Sequence, residues 1–339
     1  FEAGDWQGCH LRWQLKPYHA ILRRLNNVTF EQIIARFLQI FQFSSIMIVM
    51  GLLVAEHSGF CEGVGRAFRI AVDTIKAGRP VYMLGNLVHN KQVVERLTKF
   101  GVKTVSSLSD SPQNSGGTLL ISAHGVVPEI YDHAKLLGLE IIDTTCPWVK
   151  KAQRIAKDLA EEGRKIILVG DKGHPEVKGI VGWSGGGAFV IENIKDLHAL
   201  SLSAKDEVGI LAQTTQAEEH FKELVAGLKK KVKDVKEFDT ICGATTKRQE
   251  SAVKLAKTVD LMLVVGDKMS ANTKRLTELC LATGTPTHQI EAAEDIDPNW
   301  LKGKIKVGLT AGASTPEWVI EEVKALLRAR SGHDKSRKD

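Results

Sequence analysis

The sequence predicts an α/β fold of parallel sheets in three similar units, and three observations carry the prediction. Short apolar runs alternate with longer amphipathic ones from about residue 50 onward, the pattern of repeated strand, helix, strand connections. The phrase Asp143-Thr144-Thr145-Cys146 recurs 96 residues later as Asp239-Thr240-Ile241-Cys242, each copy between a strand-like run and a helix-like one. A third cysteine, Cys61, follows Ser58-Gly59-Phe60 in the same kind of setting.

In chain order, apolar runs predict strands over 51–55, 80–84, 118–121, 140–142, 165–169, 188–191, 207–212, 261–265, 286–290 and 305–309, and the charged run before Asp239 reads as a further strand. Amphipathic spacing predicts helices over 67–75, 91–100, 149–162, 217–232, 245–256 and 316–328. A chain of 339 residues exceeds what one core usually holds. The division expected is 50–145, 146–241 and 242–330, with an extension over 1–49 and a basic polar tail over 331–339.

The extension differs from the rest. It holds Trp6 and Trp13 in no clear period, and five basic residues against three acidic. The apolar run over 37–55 has the look of a signal or membrane segment, but Gln39, Gln42, Ser44 and Ser45 interrupt it, and its last residues serve better as the first buried strand. The expected native start lies near Met47 or Met50.

Composition sets limits on function. The formal charge of +6 suits an anionic small molecule or an acidic partner protein, and no arginine-rich run interleaved with aromatics calls for nucleic acid. Five cysteines, an odd count with no close pair, argue against a disulfide scaffold and for a reducing compartment, the cytoplasm.

Ligands of parallel sheets bind beyond the carboxyl ends of the strands, and the polar residues gather there. These loops carry His89, His124, His174 with Glu176, Thr214, Ser270 with Asn272, and Ser314, all but the Thr214 loop with a glycine in them. Backbone and neutral side-chain donors of this kind hold phosphate. A cysteine at a strand-to-helix turn faces backbone N–H groups and the positive end of the helix dipole, which lower a thiol pKa. Cys61, Cys146 and Cys242 share that position, whereas Cys280 reads as helix packing and Cys9 as part of the extension. Three thiolates fit a catalytic zinc or a cluster of four irons with one iron left open, and their even spread over three units favours the cluster. Glu176, two residues after His174, is placed to donate protons.

These phrases resemble one family. Gly59-Phe60-Cys61, Val88-His89-Asn90, Ala123-His124-Gly125-Val126, Thr145-Cys146-Pro147, Gly173-His174-Pro175-Glu176, Gln213-Thr214-Thr215, the stretch Ile241 to Glu250 and Thr310-Ala311-Gly312-Ala313-Ser314 are similar, in order, to the 4-hydroxy-3-methylbut-2-enyl diphosphate reductases of the non-mevalonate isoprenoid pathway. The resemblance implies an oxidoreductase with three α/β domains in pseudo-threefold arrangement around a central 4Fe-4S cluster on Cys61, Cys146 and Cys242. It implies that His89, His124, His174, Ser270, Asn272 and Ser314 hold the diphosphate, that Glu176 delivers protons, that Thr214 orients the alcohol or a water, and that Thr245 lines the pocket. Two electrons and two protons would convert the substrate to isopentenyl and dimethylallyl diphosphates. One departure stands out: where the family has two adjacent serines, this chain has Ser270-Ala271, which removes one hydrogen bond of about 0.5–1.5 kcal/mol.

No flavin or nicotinamide fingerprint is present, so a separate carrier such as ferredoxin or flavodoxin is expected to dock on the basic surface. Two rivals are weighed. A quinolinate-synthase-like enzyme also uses three cysteines in three domains but is not expected to carry the His174-Pro175-Glu176 loop. A non-catalytic iron–sulfur sensor would have no use for Glu176 or a full diphosphate cradle.

Overall fold

The structure, a computed structural model, describes residues 51–110 and 116–330, which belong to the compact unit Met47–Asp339. The extension over 1–49, with Trp6, Trp13 and Cys9, and the tail over 331–339 lie outside the described residues.

The described residues form strands β1 (Gly51–Val54), β2 (Val81–Leu84), β3 (Val102–Val105), β4 (Thr118–Ile121), β5 (Glu140–Asp143), β6 (Lys165–Val169), β7 (Ala188–Ile191), β8 (Glu207–Ala212), β9 (Asp234–Phe238), β10 (Leu261–Val265), β11 (Thr287–Ile290) and β12 (Lys306–Ala311). They make three four-stranded parallel sheets, ordered β3-β2-β4-β5, β7-β6-β8-β9 and β11-β10-β12-β1. The three orders are the same order, with β1 in the place that β5 and β9 hold. Thus β1 pairs with β12, Val54 opposite Leu309, and completes the sheet of the last strands rather than the sheet that follows it.

Helices α1 (Glu62–Lys76), α2 (Lys91–Lys99), α3 (Pro128–Leu136), α4 (Pro147–Glu161), α5 (Pro175–Trp183), α6 (Ile194–Ala199), α7 (Glu218–Lys229), α8 (Gly243–Ala256), α9 (Ala271–Leu281) and α10 (Glu317–Arg330) connect the strands. Their starts are written locally. Asn90, Asn193 and Ser270 accept backbone N–H groups as caps of α2, α6 and α9, and proline opens α3, α4 and α5, where its missing N–H has no helical partner in any case.

Each sheet buries both faces, which is why its central strands are apolar runs without alternation. In the third sheet Leu261, Leu263 and Val265 pack on one face, with Val319 and Ile320 of α10. Met262 and Val264 pack on the other, with Leu276 and Cys280 of α9 and Ala252 of α8. The same division separates Ile167 and Val169 from Ile166 and Leu168 in the second sheet, and Val81 and Met83 from Tyr82 in the first. Cys280 is fully buried helix packing, as expected. Strand β3 was not among the predicted strands. Its Val-Lys-Thr-Val pattern buries only the two valines, because it is an edge strand paired on one side with β2.

Candidate functional site

The three sheets direct their carboxyl ends at one cavity of about 90 Å³. Cys61, Cys146 and Cys242 are the capping residues of α1, α4 and α8, the helices entered from β1, β5 and β9. The repeated phrase has a physical reason. Asp143 and Asp239 each accept the N–H two residues on, from Thr145 and Ile241, both at 2.9 Å. Thr144 and Thr240 each donate their hydroxyl to the last residue of the neighbouring central strand, Ile121 and Ala212. Each cysteine N–H then bonds a carbonyl of an adjacent loop: Cys61 to Ala313 at 3.1 Å, Cys146 to Ala123 at 3.0 Å, Cys242 to Thr214 at 3.0 Å. At Cys61 no threonine is present, and the turn is made by Gly59 at φ +78, where a Cβ would lie 2.8 Å from Ile320.

The expectation that the helix ends lower the thiol pKa is corrected for two of the three. Burial pushes the Cys146 thiol up to about 11, against the backbone N–H groups of Trp148 and Val149, and raises Cys242 likewise against Ala244 and Thr245. Half-buried thiols in this setting ionise against a strong local cation, which is what a metal centre supplies. The donor set therefore fits such a centre: three sulfurs, each on a fixed helix-start backbone, lining one cavity.

A second group lies in the same cavity. The rings of His89, His124 and His174 sit with centroids 4.6 Å, 5.1 Å and 5.2 Å apart. Burial lowers the pKa of all three, well below the ordinary value at His124 and to about 3 at His174; His89 and His174 further oppose charging His124, and His89 opposes charging His174, while Asp267 works the other way at His89. Burial thus favours the neutral form of each ring. The Nε2 atoms of His89 and His124 are buried without a protein partner. Three imidazole nitrogens within 4.8 Å of one another are also a metal-ligand geometry. The tautomer decides against it at His174, whose Nδ1 accepts the Glu176 N–H at 3.1 Å, so that the neutral ring carries its proton on Nε2 as a donor. Asn272, 4% exposed, has neither amide atom partnered within the protein. Ser270 caps α9, and Ser314 donates to the His89 carbonyl at 2.8 Å, tying the third sheet to the first. Neutral donors converging from three sheets are suited to a compact anion.

Glu176 stands beside both groups in the first turn of α5, 2% exposed. Its Oε1 accepts the Thr214 N–H at 2.7 Å and its Oε2 the Thr214 hydroxyl at 3.0 Å. Burial outweighs these bonds and pushes its pKa up to about 7, the range of an efficient proton donor at neutral pH. Thr245, buried in the first turn of α8, lines the same cavity.

All twelve residues singled out from the sequence line this one cavity. Ala271 lines it too, so the departure noted in the sequence puts a methyl group in the cavity wall. Three neighbours escaped notice. Gly63 lies where a Cβ would come 2.8 Å from the Cys146 sulfur, and a glycine inside a helix was the signal. Trp148, 38% exposed, runs from the cavity wall to the surface. Arg248 is buried on the same face of α8 as Thr245 and Ala252, a charge within a buried stripe.

Comparisons with known proteins bear on the family and the fold. The sequence model of the family described as LytB protein matches residues 52–328. The chain is 45% identical over 274 residues to 4-hydroxy-3-methylbut-2-enyl diphosphate reductase of Citrifermentans bemidjiense, covering 81% of this chain and 95% of that protein. The solved E-1-hydroxy-2-methyl-but-2-enyl-4-diphosphate reductase of Plasmodium falciparum superposes with a TM-score of 0.79 at 33% identity, covering 82% of this chain and 88% of that one. A second solved structure, of (E)-4-hydroxy-3-methyl-but-2-enyl diphosphate reductase, described as the terminal enzyme of the non-mevalonate pathway, gives 0.60 at 42% identity, covering 83% and 99%.

Proposed function

Since the chain belongs to the LytB protein family, we propose that it is a reductase that removes the hydroxyl of (E)-4-hydroxy-3-methylbut-2-enyl diphosphate, giving isopentenyl and dimethylallyl diphosphates. One observation carries this reading: three thiols at helix N-cap positions, three partly buried imidazoles and a buried carboxyl of pKa about 7 share one cavity. The balance is one allylic alcohol, two electrons and two protons in, and one alkene diphosphate and one water out. Three α/β domains over 50–145, 146–241 and 242–330 are our division of the chain, with β1 crossing into the third sheet.

Cys61, Cys146 and Cys242 would hold a 4Fe-4S cluster, which supplies the electrons and a Lewis-acid position for the alcohol. The protein supplies the rest. His89, His124, His174, Ser270, Asn272 and Ser314 receive the diphosphate, and the unpartnered Nε2 and amide atoms gain the partners that burial otherwise denies them. Protonated Glu176 gives its proton from a carboxyl oxygen to the departing hydroxyl, which leaves as water, and, reprotonated from solvent, gives the second proton to the allylic carbon. Thr214, already bonded to both carboxyl oxygens, orients the carboxyl and the alcohol. Gly63 leaves room for the Cys146 sulfur. Gly63→Ala is expected to lower iron bound per chain, since overpacking of about 1–3 kcal/mol at that sulfur outweighs the helix propensity gained, and metal analysis of the purified variant checks it.

The electrons fit an acidic carrier protein of the ferredoxin or flavodoxin kind. A basic groove formed by Arg66, Lys150, Lys151 and Arg154 has Thr145 and Pro147, the neighbours of Cys146, in its wall. Lys150 pairs with Asp143 at 2.7 Å, while Lys151 lies over the exposed Trp148 ring at 5.2 Å. Reversing Lys151 and Arg154 together to Glu is expected to raise the KM for such a carrier about tenfold at low salt, with the effect fading as salt rises. Turnover with a small chemical reductant should stay at the wild-type rate.

No helix among the described residues is long and apolar enough to cross a membrane, and a reducing compartment such as the cytoplasm suits free thiols of this kind. The deciding experiment is anaerobic purification with visible absorbance, iron and sulfide analysis, and reduction of the allylic diphosphate. A brown chain that turns over supports the reading. A colourless, zinc-binding chain overturns the cluster, and a brown chain inert to the substrate turns the assignment to a sensor.

A further inference from the structure

Helix α8 carries one charge that neither the diphosphate cradle nor the proton path uses. Arg248 is 4% exposed, six residues beyond Cys242. Its guanidinium joins two thiol-bearing turns. Nη2 donates to the carbonyl of Gly59, two residues before Cys61, at 2.7 Å, and Nη1 donates to the carbonyl of Ala244, two residues after Cys242, at 3.1 Å. Nε is buried without a protein partner. Among the described residues no carboxylate lies at ion-pair distance, and the groups that favour its charge are the sulfurs of Cys61 and Cys242. A buried cation is costly unless an anion compensates it, and carbonyl dipoles do so only in part. The anions this place can offer are those two thiolates and whatever they bind.

We infer that Arg248 is a positioning residue that acts as the fixed counter-charge of the metal centre, its guanidinium held against the turns of Cys61 and Cys242 so that it stabilises the negative charge gained with each electron. This rests on the iron–sulfur function proposed for the three cysteines. Each reduction adds one electron from the external carrier and one negative charge, with no bond formed or broken at Arg248. The cation favours the reduced form without touching substrate.

The test compares wild type, Arg248→Gln and Arg248→Lys, purified anaerobically, poised with redox mediators and read by electron paramagnetic resonance, with iron and sulfide measured on the same samples. At a fixed ambient potential, Arg248→Gln is expected to show a ratio of reduced to oxidised centre about tenfold lower than wild type, equivalent to about 59 mV for one electron, while Arg248→Lys stays near wild type. Equal ratios in all three at full iron content, or equal losses in both variants, overturn the inference. If Arg248→Gln loses its iron, Arg248→Lys decides: iron kept by the lysine variant alone supports a required cation, and loss in both overturns it in favour of the hydrogen-bond geometry. A wild-type chain without iron overturns the proposed function itself, and this inference with it.

Discussion

Glu176→Gln is expected to slow turnover about 10²- to 10⁴-fold, the usual contribution of a positioned proton donor, while iron content and fold stay at wild-type levels. The substitution is nearly isosteric. The amide oxygen still accepts the Thr214 N–H, and the amide nitrogen can donate to the Thr214 hydroxyl in place of the bond that Oε2 now receives. What is lost is the transferable proton. With the pKa pushed by burial to about 7, the wild-type rate should fall as pH rises through that value, because the acid must be protonated to donate. In the glutamine variant that limb of the profile should vanish, and a residual rate with the same pH dependence as wild type would sink the assignment of Glu176 as donor.

The same carboxyl affects stability with a definite sign. Its folded-state pKa lies above the ordinary value of 4.5, so between those values the folded chain holds a proton that the unfolded chain has released. Stability from this group is fully present below about pH 4.5 and declines by about 1.4 kcal/mol per pH unit up to about 7. Glutamine is neutral throughout, so Glu176→Gln should melt above wild type at pH 8 and close to it at pH 4.5, measured on matched samples by circular dichroism. A residue whose removal stabilises the fold while slowing the reaction this much is kept for chemistry.

Much of this was legible in the residues. The Asp-Thr-x-Cys phrase encodes a turn whose carboxylate, hydroxyl and N–H all have local partners, so two copies of the phrase meant two copies of the turn. The apolar strands were visible because both sheet faces are covered. What was not legible depended on long-range pairing. Strand β3 buries only two of its four residues, too few for a pattern. The place of β1 beside β12 joins residues about 255 apart in the chain, as Gly51 opposite Lys306 shows, and no local signal carries that. The sign of the thiol shifts also needed the structure, because the helix-end effect is local and can be read from a turn, whereas burial by three converging sheets cannot.

Cys146→Ser is expected to remove bound iron and sulfide and all reductase activity, and Cys61→Ser and Cys242→Ser to do the same. Each sulfur sits on a backbone fixed by its own N–H bond to Ala123, Ala313 or Thr214, so the two remaining thiols cannot close around a lost third. Serine keeps the size but not the soft, ionisable donor that iron–sulfur centres require. Cys280→Ser is the control that makes the result specific. Burial pushes that thiol up to about 11, as it does at Cys146, so the two thiols cannot be told apart by acidity. They differ in what they face: Cys280 packs against Met262, Val264 and Leu276, where a hydroxyl costs about 1–3 kcal/mol unless it finds a partner. Cys280→Ser should therefore melt lower than wild type and keep its iron, whereas the three helix-capping variants should lose iron and keep a folded chain. Iron retained in any of those three would show that the convergence of the helix starts serves packing and not metal.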